Sequence, residues 1–344
     1  MLMDLRASAE AIEQGVRTAL SEVGERLAGR PVEVVFKNHR GNSRRSKRHL
    51  DDYLSDDSAL AVFAGMHSPP LLAHRDFINE NAILMLVAWA AAGPITRSPA
   101  PENWTFRLSV DDTKAGHFIA EHAVQMEGFQ RPFLLLEDTG WGRSNHLTMS
   151  KALAGLAATQ GVRVAGVQWF NWNIGENQAR AILRKVARSE ADVIFLVANA
   201  PEAVVFAHAI LAMEASVQRP IRSHWGISGG NFTDIIDHQM RSRLDLAFIQ
   251  TRYPFLDGQL NAFQADVLAR AARLYPRILG SPSTMKAPAG FFHGYDLTRL
   301  LISAAEQAGL DGDILAVRRR VRAALENLER PVQGLMKCSS RDLI

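Results

Sequence analysis

Chemistry in this chain would gather where small residues, hydroxyls and tryptophans follow apolar runs. Six stretches have that composition: Gly65-Met66-His67-Ser68, Ala88-Trp89-Ala90-Ala91-Ala92, Glu137-Asp138-Thr139-Gly140-Trp141-Gly142, Ala198-Asn199-Ala200-Pro201, His224-Trp225-Gly226 and Thr251-Arg252-Tyr253. Three of them carry tryptophan, and aromatic rings beside small residues and a few orienting polar groups are the usual lining of a small-molecule site. Ser68 has two readings, a cap for the helix that follows or a hydroxyl facing a ligand anion.

Enzyme chemistry finds less support. The chain contains no GxGxxG after its first strand and no GxxxxGK[ST], GxSxG or HExxH, so dinucleotide, P-loop, serine-hydrolase and zincin readings lack their motifs. Glu137 and Asp138 are adjacent at a strand end and therefore point in opposite directions, which does not suit paired acid and base work. An amidohydrolase-type enzyme would need a converging nucleophile and base, and neither is evident. His67, His224 and His293 are scattered without the spacing of metal ligands, and no cofactor is implied. The basic cluster Lys37, Arg40, Arg44, Arg45, Lys47 and Arg48 is followed by Asp51, Asp52, Asp56 and Asp57, so it reads as a solvated face with internal charge pairing rather than a nucleic-acid surface.

The elements that must position these stretches follow from periodicity. Ser8 to Leu27 has helical spacing, with Ile12, Val16, Leu20 and Val23 on one face, and "VEVVF" (Val32 to Phe36) is a β-branched strand. Ser43 is a candidate cap for a helix over 44–54, "ALAVFA" is a strand, Pro69-Pro70 open a helix, and "AILMLV" is a strand. The alternation restarts after Trp104. Helices are expected over 112–127, 144–160, 178–189 and 202–213, separated by the strands "FLLL", "VRVAGVQWF" and "VIFLV" and followed by a short strand ending near Ser223. "LDLAFIQTRY" reads as a further strand, and helices are expected over 258–275, 290–308 and 311–328. Apolar strands alternating with amphipathic helices mean parallel sheets covered on both faces. In such sheets ligands bind beyond the carboxyl ends of the strands, which is where the six stretches lie.

With 344 residues the chain is long enough for about two domains. No apolar run approaches the roughly 20 residues of a membrane span, so no direct membrane insertion is expected. A balance of 39 Lys+Arg against 36 Asp+Glu does not by itself imply nucleic-acid binding, and no nucleic-acid partner is expected. The single cysteine, Cys338, excludes an internal disulfide. The opening "MLMDLRASAEAIEQ" lacks a basic stretch followed by an apolar run, so no signal peptide is read there and the chain as written stays in the cytoplasm.

Taken in order, "GVRTALSEV…AGRPVEVVFKNHRGN", "AVFAGMHSP", "PENWTFRLSVDD", "LLLEDTGWGRSN", "DVIFLVANAPE" and "HGYDLTRLL" resemble the blocks of type I periplasmic solute-binding proteins, the leucine/isoleucine/valine-binding group that serves ABC transporters. The resemblance covers nearly the whole chain. It implies an α/β, two-lobed Venus-flytrap fold, each lobe a parallel sheet flanked by helices, that holds a small solute in the interlobe cleft and delivers it to a permease from the periplasm. Lobe 1 is expected over 1–108 plus 252–329 and lobe 2 over 109–251 plus 330–344, with hinge crossings near 107–111, 250–253 and 329–332. By position, the resemblance implies ligand contacts from His67, Ser68, Trp89, Ala90, Ala91, Ala92, Trp141, Asn199, Ala200, Trp225, Gly226 and Tyr253. Core packing at the hinge is an alternative role for Trp89.

Four departures from the family pattern stand out. Ala92 stands where a threonine is common, and no acidic residue is evident around Trp225 to receive an ammonium group. The expected ligand is an amino acid or a related small carboxylate or amide, and because a buried ammonium without an anion is costly, a small carboxylate or amide with an apolar or aromatic body is favoured over an α-amino acid. The family pattern also starts with a strand ahead of the first helix and runs on beyond "GLMK", so the resemblance implies a first strand and a C-terminal segment outside these 344 residues. The alternative function is a flytrap sensor that switches a regulatory partner.

Overall fold

The computed structural model describes residues 6–252, 255, 259–277 and 285–336. Along the chain run α1 (Arg6–Glu22), α2 (Ser43–Leu54), β1 (Val62–Ala64), α3 (Ser68–Glu80), β2 (Met85–Val87) and β3 (Thr105–Arg107). They are followed by α4 (Asp112–Glu121), β4 (Pro132–Glu137), α5 (Gly140–Gln160), β5 (Gly166–Phe170), α6 (Glu176–Arg188), β6 (Val193–Val197), α7 (Ala200–Leu211), β7 (Ile221–Ser223) and β8 (Leu246–Phe248). Last come α8 (Ala262–Leu274), α9 (Pro288–Ala308) and α10 (Ile314–Glu326). The chain divides into two compact units. One comprises residues 8–90, 94–109 and 252 onward, and the other residues 1–7, 91–93 and 110–251.

In the first unit, among the described residues, β1, β2 and β3 form a parallel sheet in that order, with Val62 opposite Met85 and Met85 opposite Thr105. β2 and β3 are buried throughout, as continuous apolar strands of a covered parallel sheet must be, whereas β1 at the edge is only partly buried. Val32–Phe36 is not a strand. It pairs with no described strand, and Val35 and Phe36 are 64% and 55% exposed. β-branched residues favour extended backbone, but a strand is stable only with a neighbour to take its amide and carbonyl groups. α2 is capped by Asn42, whose Oδ1 accepts the Arg45 N–H at 2.9 Å, one residue ahead of the expected Ser43. α9 is buried on nearly all sides, as its apolar sequence from Phe291 to Ile302 requires.

Residues 330–336 belong to this unit, where the resemblance had placed 330–344 with lobe 2 and a crossing near 329–332. The anchor is Asp296 on α9, whose carboxylate accepts the N–H groups of Leu335 at 2.7 Å and Met336 at 2.9 Å. Ala91 to Gly93 show the opposite change. They group with residues 110–251, because Asp112 N–H donates to the Ala91 carbonyl at 3.0 Å and Gly93 N–H to Ser144 Oγ at 3.3 Å.

The second unit holds a five-stranded sheet in the order β8-β7-β6-β4-β5, with every pair parallel. β4 and β6, at its centre, are fully buried. On one face Phe133, Leu135, Ile194 and Leu196 pack with Leu183, Val186, Val204 and Phe206 from α6 and α7. α5 begins at Gly140, four residues before the expected start, because Thr139 caps it. α4 ends at Glu121 and passes into a π-helical turn over His122–Met126. The order and parallel pairing place the ends of β4, β6 and β7 side by side.

Candidate functional site

The site in the five-stranded unit is built from the bottom by β4. This strand ends at Glu137, whose side chain is turned inward and only 1% exposed, while Asp138 points outward and pairs with Arg143 at 2.6 Å. Thr139 then caps α5, its Oγ1 accepting the Gly142 N–H at 3.3 Å and donating to Glu137 Oε1 at 2.9 Å. A Cβ on Gly142 would lie 1.8 Å from the Glu137 carbonyl oxygen, so only glycine lets the first turn of α5 come down onto the strand end. That turn sets Trp141 just beyond the end of β4, and its indole N–H donates to Asp112 Oδ1 at 3.0 Å.

β6 supplies the second wall. Asn199 occupies the cap position of α7, yet its side chain makes no cap bond. Its Nδ2 donates instead to Glu137 Oε2 at 2.9 Å. Ala200 and Pro201 open the helix. β7 supplies the third wall. Ser223 Oγ donates to the Leu196 carbonyl at 2.7 Å and ties β7 to β6, after which the chain turns through His224, Trp225 and Gly226. The His224 ring lies 3.8 Å from that of Trp225, and stands edge-on to Trp141 at 5.3 Å. A Cβ on Gly226 would fall 2.8 Å from Trp141 Cη2, 2.8 Å from the Ala198 carbonyl oxygen and 3.4 Å from Asn199 Oδ1. Trp141, Asn199 and Gly226, residues distant in sequence, therefore converge on one point, with Ala200 and Trp225 adjoining them along the chain.

Two acidic groups shape the electrostatics. Burial pushes the Glu137 carboxyl up to about 7, against the hydrogen bonds from Thr139, Trp172 and Asn199 and with a further push from Glu202. Glu202 is also raised by burial, although its Oε1 accepts the Asn173 N–H at 2.9 Å. Asp112 is the residue that sequence reasoning missed. It is fully buried beneath Trp141, and its Oδ1 lies 3.3 Å from His224 Nε2, so an acidic group does stand beside the His224-Trp225 turn. This corrects the expectation that the surroundings of Trp225 lack an acid. The only sequence signal for Asp112 is its place in "SVDD", one residue after the cap Asp111.

In the other unit, His67 is the residue ahead of α3 and Ser68 its first helical residue, buried, so the cap position falls on His67 rather than Ser68. His67 stands edge-on to His39 at 5.9 Å, and burial pushes it down to about 4. Trp89 and Ala90 follow β2 and are buried, with Ser109 Oγ donating to the Ala90 carbonyl at 3.5 Å. His293 Nδ1 meets the Ala88 carbonyl at 2.6 Å. Ala91 and Ala92 belong to the five-stranded unit, where the Ala91 carbonyl is already engaged by Asp112. Tyr253 lies outside the described residues. The basic cluster is locally paired, Lys37 with Asp52 at 2.8 Å and Lys47 with Asp51. No described helix is long and apolar enough to cross a membrane.

Comparison with known proteins agrees with this architecture. No curated protein matches. The solute-binding protein of an ABC transporter from R. palustris, solved in complex with 4-hydroxybenzoate, superposes with a TM-score of 0.75 at 17% identity, covering 94% of this chain and 81% of that one. The leucine-binding protein LivK from Thermotoga maritima gives 0.74 at 16% identity, covering 93% and 84%. The branched-chain amino acid binding protein LivJ from Streptococcus pneumoniae, in complex with isoleucine, gives 0.74 at 14%, covering 97% and 89%. The family model described as "Periplasmic binding protein" matches residues 4–338. These residues, nearly the whole length, show that the chain belongs to the periplasmic binding protein family, a family of solute-binding proteins rather than enzymes.

Proposed function

We propose that this chain is the solute-binding component of an ABC-type transporter and that its solute is a small organic molecule with a flat, aromatic or apolar body. The observation that carries the reading is the cluster of Trp141, His224 and Trp225 at the ends of β4 and β7, with ring separations of 5.3 and 3.8 Å and Gly226 beside them. Indole and imidazole rings favour a flat or apolar partner, and the fixed polar groups around them supply orientation. The R. palustris neighbour solved with 4-hydroxybenzoate supports an aromatic solute. Binding would act by shifting a conformational equilibrium of the protein, with no chemical step. For His67, Ser68, Trp89 and Ala90 the support is the resemblance, and Ser68→Ala is the variant that tests it.

A second reading, an amino acid, is favoured by one observation, the buried carboxylate of Asp112 beside Trp225, and by the LivJ neighbour solved with isoleucine. A thermal-shift screen of the purified protein against aromatic carboxylates, amino acids, short amides and polyols separates the two. A solute at about 100 times its Kd stabilises by about 2.7 kcal/mol, a midpoint shift of several degrees. A shift confined to aromatic carboxylates supports the first reading, a shift confined to amino acids the second, and no shift with any class refutes both.

A further inference from the structure

Two stretches of unpaired backbone end side by side in the first unit. β1 is hydrogen-bonded to β2 along one edge, and among the described residues no strand pairs with its other edge. Val62, Phe63 and Ala64 are all half-exposed, whereas β2 and β3 are buried throughout. The second stretch is residues 32–36. Its hydrogen bonds within the described residues are Val32 N–H to the Glu25 carbonyl at 2.9 Å and Arg17 Nη2 of α1 to the Val34 carbonyl at 3.4 Å, so the amides of Val34, Val35 and Phe36 donate to no group there. Both stretches run toward the same place. His39 and His67, each three residues beyond its run, meet edge-on at 5.9 Å, yet no backbone hydrogen bond joins 32–36 to 62–64. Paired strands lie about 4.8 Å apart and next-but-one strands about twice that, a span that two side chains bridge and two backbones do not.

We propose that one further parallel strand, apolar on both faces, seats between residues 32–36 and β1, and that it is carried ahead of α1 on a polypeptide longer than these 344 residues. Chain order supports the position. Residues 32–36, β1, β2 and β3 are successive extended segments, and doubly wound sheets commonly have the order 2-1-3-4-5, in which the strand ahead of the first helix lies between the second and third. In that order the connection through α1 runs one way and the connection through α2 the other, and right-handed crossovers then put the two helices on opposite faces. A strand between them is covered on both sides, so it is apolar throughout rather than alternating. The described chain does not supply it, since apolar runs such as "FLLL" and "VIFLV" are already strands. Residues 1–5 are too few, because α1 begins at Arg6 and a strand of about five residues needs roughly two to six more to turn into the helix. The inference is independent of which solute is bound.

The test compares three proteins by amide hydrogen exchange and urea unfolding. They are the chain itself, the chain with the strand VIVIV and a Gly/Ser turn of about six residues fused ahead of Met1, and a control whose extension reads VPVPV. The expected result is that exchange in residues 32–36 and 62–64 slows at least about tenfold with the apolar extension and not with the control, because proline cannot donate to a strand ladder. The urea midpoint should rise with the apolar extension alone. Equal behaviour of the two extended proteins overturns the seat, whether both fold or neither does. Slowing at only one of the two stretches overturns it too, since a strand added to a single open edge protects that edge alone. If both stretches exchange in the unextended chain as slowly as β2, the edges are already paired and the proposal falls. Slowing that appears only at concentrations where gel filtration shows association makes a second copy the occupant, which also overturns it. Should the unextended chain fail to fold, the two extended proteins still decide, the apolar one being expected to fold and the control not.

Discussion

Glu137 ties the fold to the site, and its buried carboxyl makes a sharp prediction. Burial pushes the group up from its ordinary 4.5 to about 7. A carboxyl whose folded pKa lies above its unfolded value contributes stability that is fully present below 4.5 and is lost as pH rises through about 7, because at high pH a charge must be held out of water. A difference of about 2.5 pH units at 1.36 kcal/mol each amounts to about 3 kcal/mol. Glu137→Gln keeps the shape and removes the titration. At low pH the variant should be less stable than wild type by about 1 kcal/mol, since an amide N–H₂ replaces one oxygen that accepts from Thr139 or Asn199. At high pH it should be the more stable of the two by about 2 kcal/mol. Urea unfolding of both proteins from about pH 5 to about pH 9 measures the difference, and subtracting the curves removes the contributions of distant acids that titrate alike in both. A difference that stays constant across this range would refute the assignment of a buried, neutralised carboxyl at the end of β4.

Other predictions follow from single contacts. Trp141→Ala should lower stability by about 3–5 kcal/mol, measured by urea unfolding, because the indole is 6% exposed and its N–H is engaged by Asp112. Gly226→Ala should weaken solute binding about tenfold in a calorimetric titration, since the added Cβ meets Trp141 and the Ala198 carbonyl at 2.8 Å and one of them must move. His293 is held down to about 4 by burial, so it stabilises the fold above its ordinary 6.5 and withdraws that contribution as pH falls toward 4. His293→Gln, which can still donate to the Ala88 carbonyl, should therefore move the acid-unfolding midpoint to lower pH. Phe36→Ser should change stability by less than about 0.5 kcal/mol, because the ring is mostly in solvent, and a loss near 2 kcal/mol would show that it is buried in solution.

What could be read from the sequence divides along physical lines. "VIFLV" is β6 residue for residue, and Pro69-Pro70 do lie in the first turn of α3, because both signals are local: a run of buried β-branched and aromatic residues, and a fixed φ. The same local preference misleads at "VEVVF", where the residues favour a strand but no described neighbour pairs with it. Capping differed by one residue at α2 because Asn42 and Ser43 are both good caps, and the helix ladder decides between them. Strand ends as the place for a site followed from the parallel-sheet pattern alone. The contacts that draw the candidate site together did not. Asp112 meets His224, and Glu137 meets Asn199, across long stretches of chain, and only the β7-β6-β4 order brings them together. Nor does the spelling of Asp111-Asp112 tell which aspartate caps α4 and which lies beneath the tryptophan.

The central claim, that a small solute is held at the strand ends of the five-stranded unit, is tested most directly by amide hydrogen exchange. The wild-type protein would be compared without ligand and with a saturating concentration of the solute that gives the largest thermal shift. Slower exchange concentrated in residues 137–145, 198–203 and 223–229 is the expected result, since a solute against Trp141, Asn199 and Trp225 stabilises the turns that carry them. Protection confined to other segments, with these three unchanged, would contradict it.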